Sequence, residues 1–485
     1  MSTKRILALL LVLSMLVSFA ACTPSAENPN HDPDETPSQT PGETPDDKPD
    51  DKPDDKPNDK PAEPAGPTIA ITPDCDYTYV GTLATFTVTG EGIDRETLTY
   101  TVTEGMANTP TATETGCKAR ILREGELTVT VSCGELSASC TVKAFPDYTT
   151  VTPGDDMIYC LGRTEMSGEK MLINNTASGF ELTFFGKSIS VKMRNESGES
   201  FFAVFVDGQT DPEAHKIDLK NDQKNGKIVL AEFETAGVHT IRVQKTTEEQ
   251  ISRASLSEIT IEKGGLLPHT PQYALKIEVY GDSITAGYGN MREVGEPDDI
   301  KRQNGLLTYA GIAATRLNAE YRAFCWSGLG LYTNPYNSTR WLKDTYNNVS
   351  YNSNTKYDMT AFTPDIVIIN IGTNDIWATN GSTGNQPFNA NDYIEHYVDF
   401  VTNLYQIYGE STTFILCSGM LETGLANPIQ QVVYRLYDAG ITGVYNAVLP
   451  RATYGGHPCL VTHREAAEVL LKAIADATGY EVPKE

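Results

Sequence analysis

The spacing of apolar residues changes along the chain, and the changes mark its organisation. From about residue 272, short continuous apolar runs alternate with stretches whose apolar residues recur every three or four positions. The runs 275–280, 320–325, 366–371, 413–417 and 444–448 read as strands buried on both faces. Between them, Asn391 is placed to cap a helix that carries Ile394, Val398, Val401, Tyr405 and Tyr408 on one face. Thr462 and Glu465 have capping-box spacing before a last helix, and Gly479 suits its stop. Apolar strands alternating with helices predict an α/β domain with a parallel sheet covered on both faces, over 269–485.

Upstream the period is two. Segments 68–72, 84–89, 98–103 and 126–132 alternate apolar and Thr-like residues, and Gly134-Glu135 turns into 136–144. Residues 68–145 therefore read as a small β-sandwich, similar to the bacterial immunoglobulin-like repeats found beside surface enzymes. Segments 180–185, 188–194, 201–206, 227–233 and 239–244 continue the pattern, with a turn at Asp207-Gly208. Residues 146–268 read as a second sandwich, a jelly roll, in which Tyr159, Phe180 and Phe201 are core residues.

The N-terminus follows neither pattern. Lys4-Arg5 precede the apolar run 6–17, which is shorter than the roughly 20 residues of a membrane span and has the plan of a signal peptide. Ser18-Phe19-Ala20-Ala21-Cys22 resembles a bacterial lipobox, although Phe19 stands where Leu is usual. Residues 1–22 are thus expected to be a lipoprotein signal, with Cys22 lipidated; a plain secretory cut near Ala20 or Ala21 is the alternative. Residues 23–67 hold 13 acidic and 4 basic residues and include the repeat DDKP, DDKP, DDKP, NDKP. Proline every fourth residue blocks helix and the charge prevents collapse, so this stretch is a tether reaching on the order of 140 Å when extended.

The net charge of −26 argues against a nucleic-acid partner. Of nine cysteines, Cys75, Cys117, Cys133 and Cys140 are near enough in sequence for up to two disulfides, while Cys160, Cys325, Cys417 and Cys459 read as buried thiols. No Cys/His cluster has zinc spacing, and no metal or cofactor is expected.

Candidate chemistry gathers in the α/β region. Strand 275–280 runs into Gly281-Asp282-Ser283-Ile284-Thr285-Ala286-Gly287-Tyr288-Gly289, a Gly-rich turn where open α/β sheets place reactive groups. Ser283 is a candidate nucleophile if a base reaches it. Trp326-Ser327-Gly328-Leu329-Gly330 follows the second strand and Gly372-Thr373-Asn374-Asp375 the third, offering backbone and amide N–H groups to the same crevice. His457, in Gly455-Gly456-His457-Pro458, lies on a loop before the last helix. Asp282 and Asp375 read as loop-holding carboxylates, and His463 as a packing or capping residue. Trp326, Trp341 and Trp377 are candidates to stack on a sugar face, Trp377 foremost because it follows Asn374 by three residues.

In their order, Ser283, Gly328, Asn374 and His457 resemble the SGNH-hydrolase superfamily. GDSITAGYGN, Trp326-Ser327-Gly328-x-Gly330 and His457-Pro458 with His463 and Ala466 resemble carbohydrate esterase family 2 more closely, as do Leu161-Gly162-Arg163 and the segments 201–208 and 239–245. The resemblance covers roughly 150–485. It implies a three-layer, flavodoxin-like α/β catalytic domain preceded by a jelly-roll β-sandwich, ahead of which stands the immunoglobulin-like β domain read at 68–145. It also implies removal of O-acetyl groups from plant polysaccharides such as xylan and glucomannan. Ser283 would be the nucleophile and His457 the base. The oxyanion donors would be the N–H groups of Ser283 and Gly328 (or its rival Gly330) and the Asn374 amide. Many members carry Asp three residues before the catalytic His; here that position is Tyr454. A Ser–His dyad, with a backbone carbonyl orienting His457, is therefore expected. The expected partners are an acetylated polysaccharide or oligosaccharide and, through the Cys22 lipid alone, a membrane, with the protein monomeric at the cell surface. The alternatives are a non-catalytic carbohydrate-binding surface protein and an SGNH esterase acting on other acetylated glycans or on lipids.

Overall fold

The computed structural model describes residues 66–483 apart from 224–225, 337–338, 379–384 and 453–454. The signal segment, Cys22, the Asp/Lys/Pro repeat and Tyr454 lie outside these residues. Among the described residues no helix is long and apolar enough to cross a membrane.

Five apolar runs form the parallel sheet that the sequence implies. They are β1 (Leu275–Gly281), β2 (Ala319–Cys325), β3 (Ile366–Asn370), β4 (Thr413–Gly419) and β5 (Val444–Leu449), in the order β2-β1-β3-β4-β5. Residues of β2 and β3 are buried throughout, as expected where helices cover both faces. The helices on and around the sheet are α1 (Ser283–Ala286), α2 (Tyr309–Arg316), α3 (Thr373–Ile376), α4 (Ala390–Tyr408), α5 (Ala426–Asp438) and α6 (Leu460–Thr478), and a further helical turn spans Leu342–Thr345. Alternate residues of β1 serve opposite cores. Ile277 and Val279 pack with Ala310 and Ala313 of α2 and Leu470 and Ile474 of α6. Tyr280 packs with Tyr397 and Phe400 of α4 and Val432 of α5. The chain leaves β1 for β2 on one side and later returns to β3 on the other. The loops that follow these three adjacent strands therefore open into one crevice at their carboxyl ends.

Two helix starts differ from the sequence reading. The cap of α4 is Asn389, whose side chain accepts from the N–H groups of Asn391 and Asp392. Asn391 lies inside the first turn, because the helix begins where the Asn389 oxygen reaches the free N–H groups. Helix α6 starts at Leu460 with no side-chain cap, so Thr462 and Glu465 do not form a capping box. Thr462 is instead buried. Gly479 ends α6 in the left-handed conformation, as its position suggested.

The upstream chain is β-rich. Between Ala70 and Phe145, two four-stranded sheets enclose Phe86, Val88, Leu127, Val129, Val131 and Val142. Cys75, Cys117, Cys133 and Cys140 are free thiols there. The next part, from Tyr148 to Leu267, is built on a ten-stranded antiparallel sheet. Segments 180–185 and 188–194 are one strand, Gly179–Ser197, and 227–233 and 239–244 are one strand, Ile228–Lys245. These two strands pair across Gly186 and Gly237, and a register shift at Gly186/Ser188 marks the break in the alternation that looked like two strands.

One buried ion pair joins this sheet to β1. The Arg163 guanidinium lies 2.8 Å from Glu278 of β1, both side chains 2% exposed. Arg163 also donates to the backbone oxygens of Tyr346 (2.5 Å) and Asn348 (2.8 Å) and to the Tyr280 hydroxyl (2.8 Å). Tyr280 and Tyr408 both donate to the second Glu278 oxygen. Desolvation opposes the charge on Arg163, but Tyr280, Glu278 and Tyr408 around it hold its pKa above the ordinary arginine value. Removing one partner strands a buried charge, which typically costs about 3–5 kcal/mol. Arg163→Met is expected to lower stability by about that amount in denaturant unfolding at pH 7; a loss under roughly 1 kcal/mol would show that the pair is dispensable.

Candidate active site

Ser283 is the first residue of α1, directly after β1. Asp282 caps this short helix by accepting the Ile284 N–H at 3.0 Å, and Gly287 closes it in the left-handed conformation. A β-carbon on Gly281 would stand 2.0 Å from the Thr285 hydroxyl, so the turn into α1 needs glycine there. This geometry leaves the Ser283 N–H at a helix start, where no intrahelical acceptor is available, and the hydroxyl at the edge of the crevice.

His457 reaches that hydroxyl. Its Nε2 lies 2.9 Å from Ser283 Oγ. Its Nδ1 lies 2.7 Å from Asp298 Oδ2, and both carboxylate oxygens of Asp298 also accept the His457 backbone N–H at 3.1 Å. This corrects the dyad expectation: a carboxylate orients His457, and it comes from the loop that follows α1. Tyr454 could not have signalled this, because the carboxylate is 159 residues away in sequence.

Arg292 ties the two loops together. Its Nε is 3.1 Å from Asp298 Oδ1, and its two terminal nitrogens donate to the carbonyls of Glu296 (2.6 Å), Gly455 (3.2 Å) and His457 (2.6 Å). Gly456 has a φ of +90°, and a β-carbon there would stand 2.7 Å from Asp298 Oδ1. The close approach of the two loops thus requires glycine at 456. Burial pushes the Asp298 carboxyl up, but hydrogen bonds from His457 and the charges of His457 and Arg292 outweigh it and leave the pKa below the ordinary value.

The remaining wall comes from the loops after β2 and β3. Gly328 lines the cavity with a φ of +84°, and among the described residues no acceptor meets its N–H. Gly330 does not line the cavity; a β-carbon on it would sit 1.7 Å from the Thr333 carbonyl, so that position needs glycine for packing. Asn374 lines the same cavity, with its amide nitrogen 2.9 Å from the Leu329 carbonyl and 3.3 Å from Asp282 Oδ2. Burial raises the Asp282 carboxyl to about 7. Asp375, raised to about 6 by burial against the pull of its hydrogen bonds, accepts the N–H groups of Leu331, Tyr332 and Thr333 and so shapes the β2 loop. His463 is buried and its Nδ1 accepts the Tyr309 N–H at the start of α2; burial lowers its pKa to about 3 and keeps it neutral.

Ser283, Asp298, Gly328, Asn374 and His457 line an open cavity of about 350 Å³, completed by Gln250, Tyr288, Ser327, Tyr336, Thr373, Trp377 and Leu421. Trp377 is 47% exposed at its edge. Trp326 does not line it: the indole stacks on Tyr351, 4.3 Å between ring centres, because the β2 loop turns it toward the core. Trp341 is likewise outside the wall. A larger cavity, about 510 Å³, beside Arg242 and Tyr273 holds another hydroxyl next to an imidazole, Thr183 Oγ1 lying 2.8 Å from His269 Nδ1 with Glu181 3.5 Å from His269 Nε2. Among the described residues no group of three or more His, Cys, Asp or Glu is placed to hold a metal. Asp298, Tyr288, Tyr336 and Gln250 were not singled out in the sequence. The one local signal for Asp298 was its place on the loop behind the serine helix.

Residues 160–271 match the carbohydrate esterase 2 N-terminal family model, and residues 279–477 match the GDSL-like lipase/acylhydrolase model. The chain thus carries a carbohydrate esterase 2 N-terminal region followed by a GDSL-like hydrolase domain. Its pair of domains has the plan of carbohydrate esterase family 2, which places it among the carboxylic ester hydrolases. It is 28% identical over 317 residues to the cellulase/esterase CelE of Acetivibrio thermocellus, a match that covers 63% of this chain and 37% of that protein. It is 25% identical to an acetylxylan esterase/glucomannan deacetylase of Cellvibrio japonicus, covering 62% of this chain and 84% of that one. A family two carbohydrate esterase from Clostridium thermocellum, solved in complex with cellohexaose, superimposes with a TM-score of 0.58 at 26% identity, over 66% of this chain and 99% of that one.

A group with a depressed folded-state pKa contributes stability above its unfolded value and loses it as the pH falls. Asp298 is such a group. The melting-temperature gap between the native protein and Asp298→Asn is therefore expected to be largest near neutral pH and to close as the pH drops below about 4. A gap independent of pH between 3 and 7, followed by calorimetry, would contradict the assigned ion contacts.

Proposed function

We propose that this chain is a carbohydrate esterase that removes O-acetyl groups from plant polysaccharides through an acetyl-enzyme intermediate on Ser283. The observation that carries the reading is the relay Asp298–His457–Ser283, with contacts of 2.7 and 2.9 Å, at the rim of an open cleft edged by an exposed tryptophan. The open cleft suits a polymer, and Trp377 offers a face on which a sugar ring can stack. The names of the relatives point to the same substrates.

In this reading Ser283 Oγ attacks the acetyl carbonyl while its proton passes to His457 Nε2. Asp298 fixes the tautomer that leaves Nε2 free and offsets the imidazolium charge. The N–H groups of Ser283 and Gly328 and the Asn374 amide face the developing oxyanion. Of the two Asn374 N–H groups, the one held at 3.3 Å by Asp282 is the freer to turn to it. A carboxyl raised to about 7 beside the oxyanion is partly neutral at physiological pH, which limits repulsion there. His457 returns the proton to the leaving sugar hydroxyl. Water then attacks the acetyl-enzyme, giving up its proton to Nε2, and acetate leaves as the Ser283 hydroxyl is restored.

The rest of the chain fits a surface enzyme. We assign residues 1–22 to a lipoprotein signal, 23–67 to a tether, 68–145 to an immunoglobulin-like spacer, 146–268 to a jelly roll and 269–485 to the hydrolase domain. The lipid on Cys22 would hold a monomeric enzyme at the outside of a bacterial cell.

Acetate release from acetylated xylan, acetylated glucomannan and a small aryl acetate tests the proposal. Ser283→Ala is expected to lose at least about 10³-fold in kcat on all three; native-like activity would remove the mechanism. Sugar binding without hydrolysis by the native protein would favour a binding role for the same cleft. Trp377→Ala is expected to raise KM on the polymers about tenfold while leaving kcat on the aryl acetate within twofold, because the indole meets the sugar and not the acetyl group.

A further inference from the structure

The loop 245–252 belongs to the β-rich domain, between the strands Ile228–Lys245 and Arg253–Glu262, yet it is built into the α/β domain. Lys245 fixes its shape. The ammonium is fully buried and lies 2.8–3.2 Å from four backbone carbonyls, those of Asn174, Thr247, Glu248 and Ser252. The loop then bonds outward. The Thr246 carbonyl accepts the Gly305 N–H at 2.8 Å, and the Glu248 N–H donates to Gln303 at 2.9 Å. Glu249 holds Ser350 and the Asn352 N–H, both at 3.1 Å. Gln250 ends up in the wall of the Ser283 cavity.

Glu248 makes the contact that bears on the chemistry. Its carboxylate is completely buried and accepts both donors of Ser327: the backbone N–H at 2.7 Å and the hydroxyl at 2.5 Å. Gln303 donates to it at 3.2 Å. Ser327 directly precedes Gly328, whose N–H is the oxyanion donor of the proposed mechanism. Burial raises the Glu248 carboxyl, while the hydrogen bonds from Ser327 and Gln303 pull it down; taking two donors from one residue pins that residue in position and orientation. Without that hold, Gly328 is free to pivot, since glycine tolerates most backbone conformations.

We propose that Glu248 is a positioning residue for the oxyanion loop, so that a side chain of the β-rich domain sets the catalytic competence of the α/β domain. This rests on the esterase reading above. The step it serves is the attack of Ser283 on the acetyl carbonyl. Displacing one oxyanion donor typically costs about 10²–10³ in rate, and partial misplacement costs less.

The test uses the full chain with an aryl acetate, each variant assayed well below its own melting temperature. Glu248→Gln is expected to lower kcat on the order of 10- to 100-fold with KM within twofold. Ser327→Ala, which removes only the hydroxyl bond, is expected to lose less. The double variant should be no slower than Glu248→Gln alone, because both act through one contact. Hydrolysis by the native protein with an unchanged kcat in folded Glu248→Gln overturns this proposal and leaves the esterase reading standing. So does a loss that is all in melting temperature or KM, as a merely structural strut would give. If Glu248→Gln does not fold, Ser327→Ala carries the test, and an unchanged kcat there overturns the proposal. No hydrolysis by the native protein overturns the esterase reading and this proposal with it.

Discussion

The buried pair of Arg163 and Glu278 is the interaction on which the architecture turns. Glu278 lies in the middle of β1, five residues before Ser283, and Arg163 lies in the β-rich domain. A lone charge at either place would be expensive in the interior. The pair is tolerated because both terminal guanidinium nitrogens and both carboxylate oxygens are engaged: two carbonyls and a hydroxyl on the guanidinium besides Glu278, two tyrosines on the carboxylate. Gly162 has a φ of +67°, and a β-carbon there would stand 2.9 Å from Ser178, so glycine lets the chain pass close to Ser178 on its way to Arg163. The domain boundary drawn by sequence pattern is thus a covalent landmark; physically the two parts share a charged core.

The same device recurs closer to the chemistry. Arg292 joins the Asp298 loop to the His457 loop, and Glu248 joins the loop 245–252 to the loop after β2. Asp375 holds the turn that follows. Each loop of the crevice is fastened by a charged side chain from another segment, to backbone groups more than to other side chains. Backbone anchors define position tightly, since they have no rotamers of their own. That suits a site in which donors must be in place before charge develops.

The carboxylates show how environment separates residues of one type into roles. Asp298 is partly exposed, hydrogen-bonded by His457 and close to the Arg292 guanidinium, and its pKa lies below the ordinary value. Asp282 is fully buried, and burial raises its carboxyl to about 7. In the proposed mechanism, that partial neutrality limits the charge set against the oxyanion.

Much of this was legible in the chain. Apolar runs of five to seven residues separated by helical periods left a parallel sheet as the one economical arrangement, and all five strands lie where those runs are. Gly-Asp-Ser, Gly328, Asn374 and His457 stand at strand ends and loops because parallel sheets put reactive groups there, so order along the sequence was enough to bring them together on paper. What sequence could not show is whatever depends on contact between distant segments. Asp298 behind His457, Arg163 under β1, Glu248 behind Ser327 and the inward turn of Trp326 are all set by packing across 25 to 159 residues of chain. No local period or spacing encodes them. Periodicity reports which face of a segment is buried, and only the folded structure decides which charged atom meets that face.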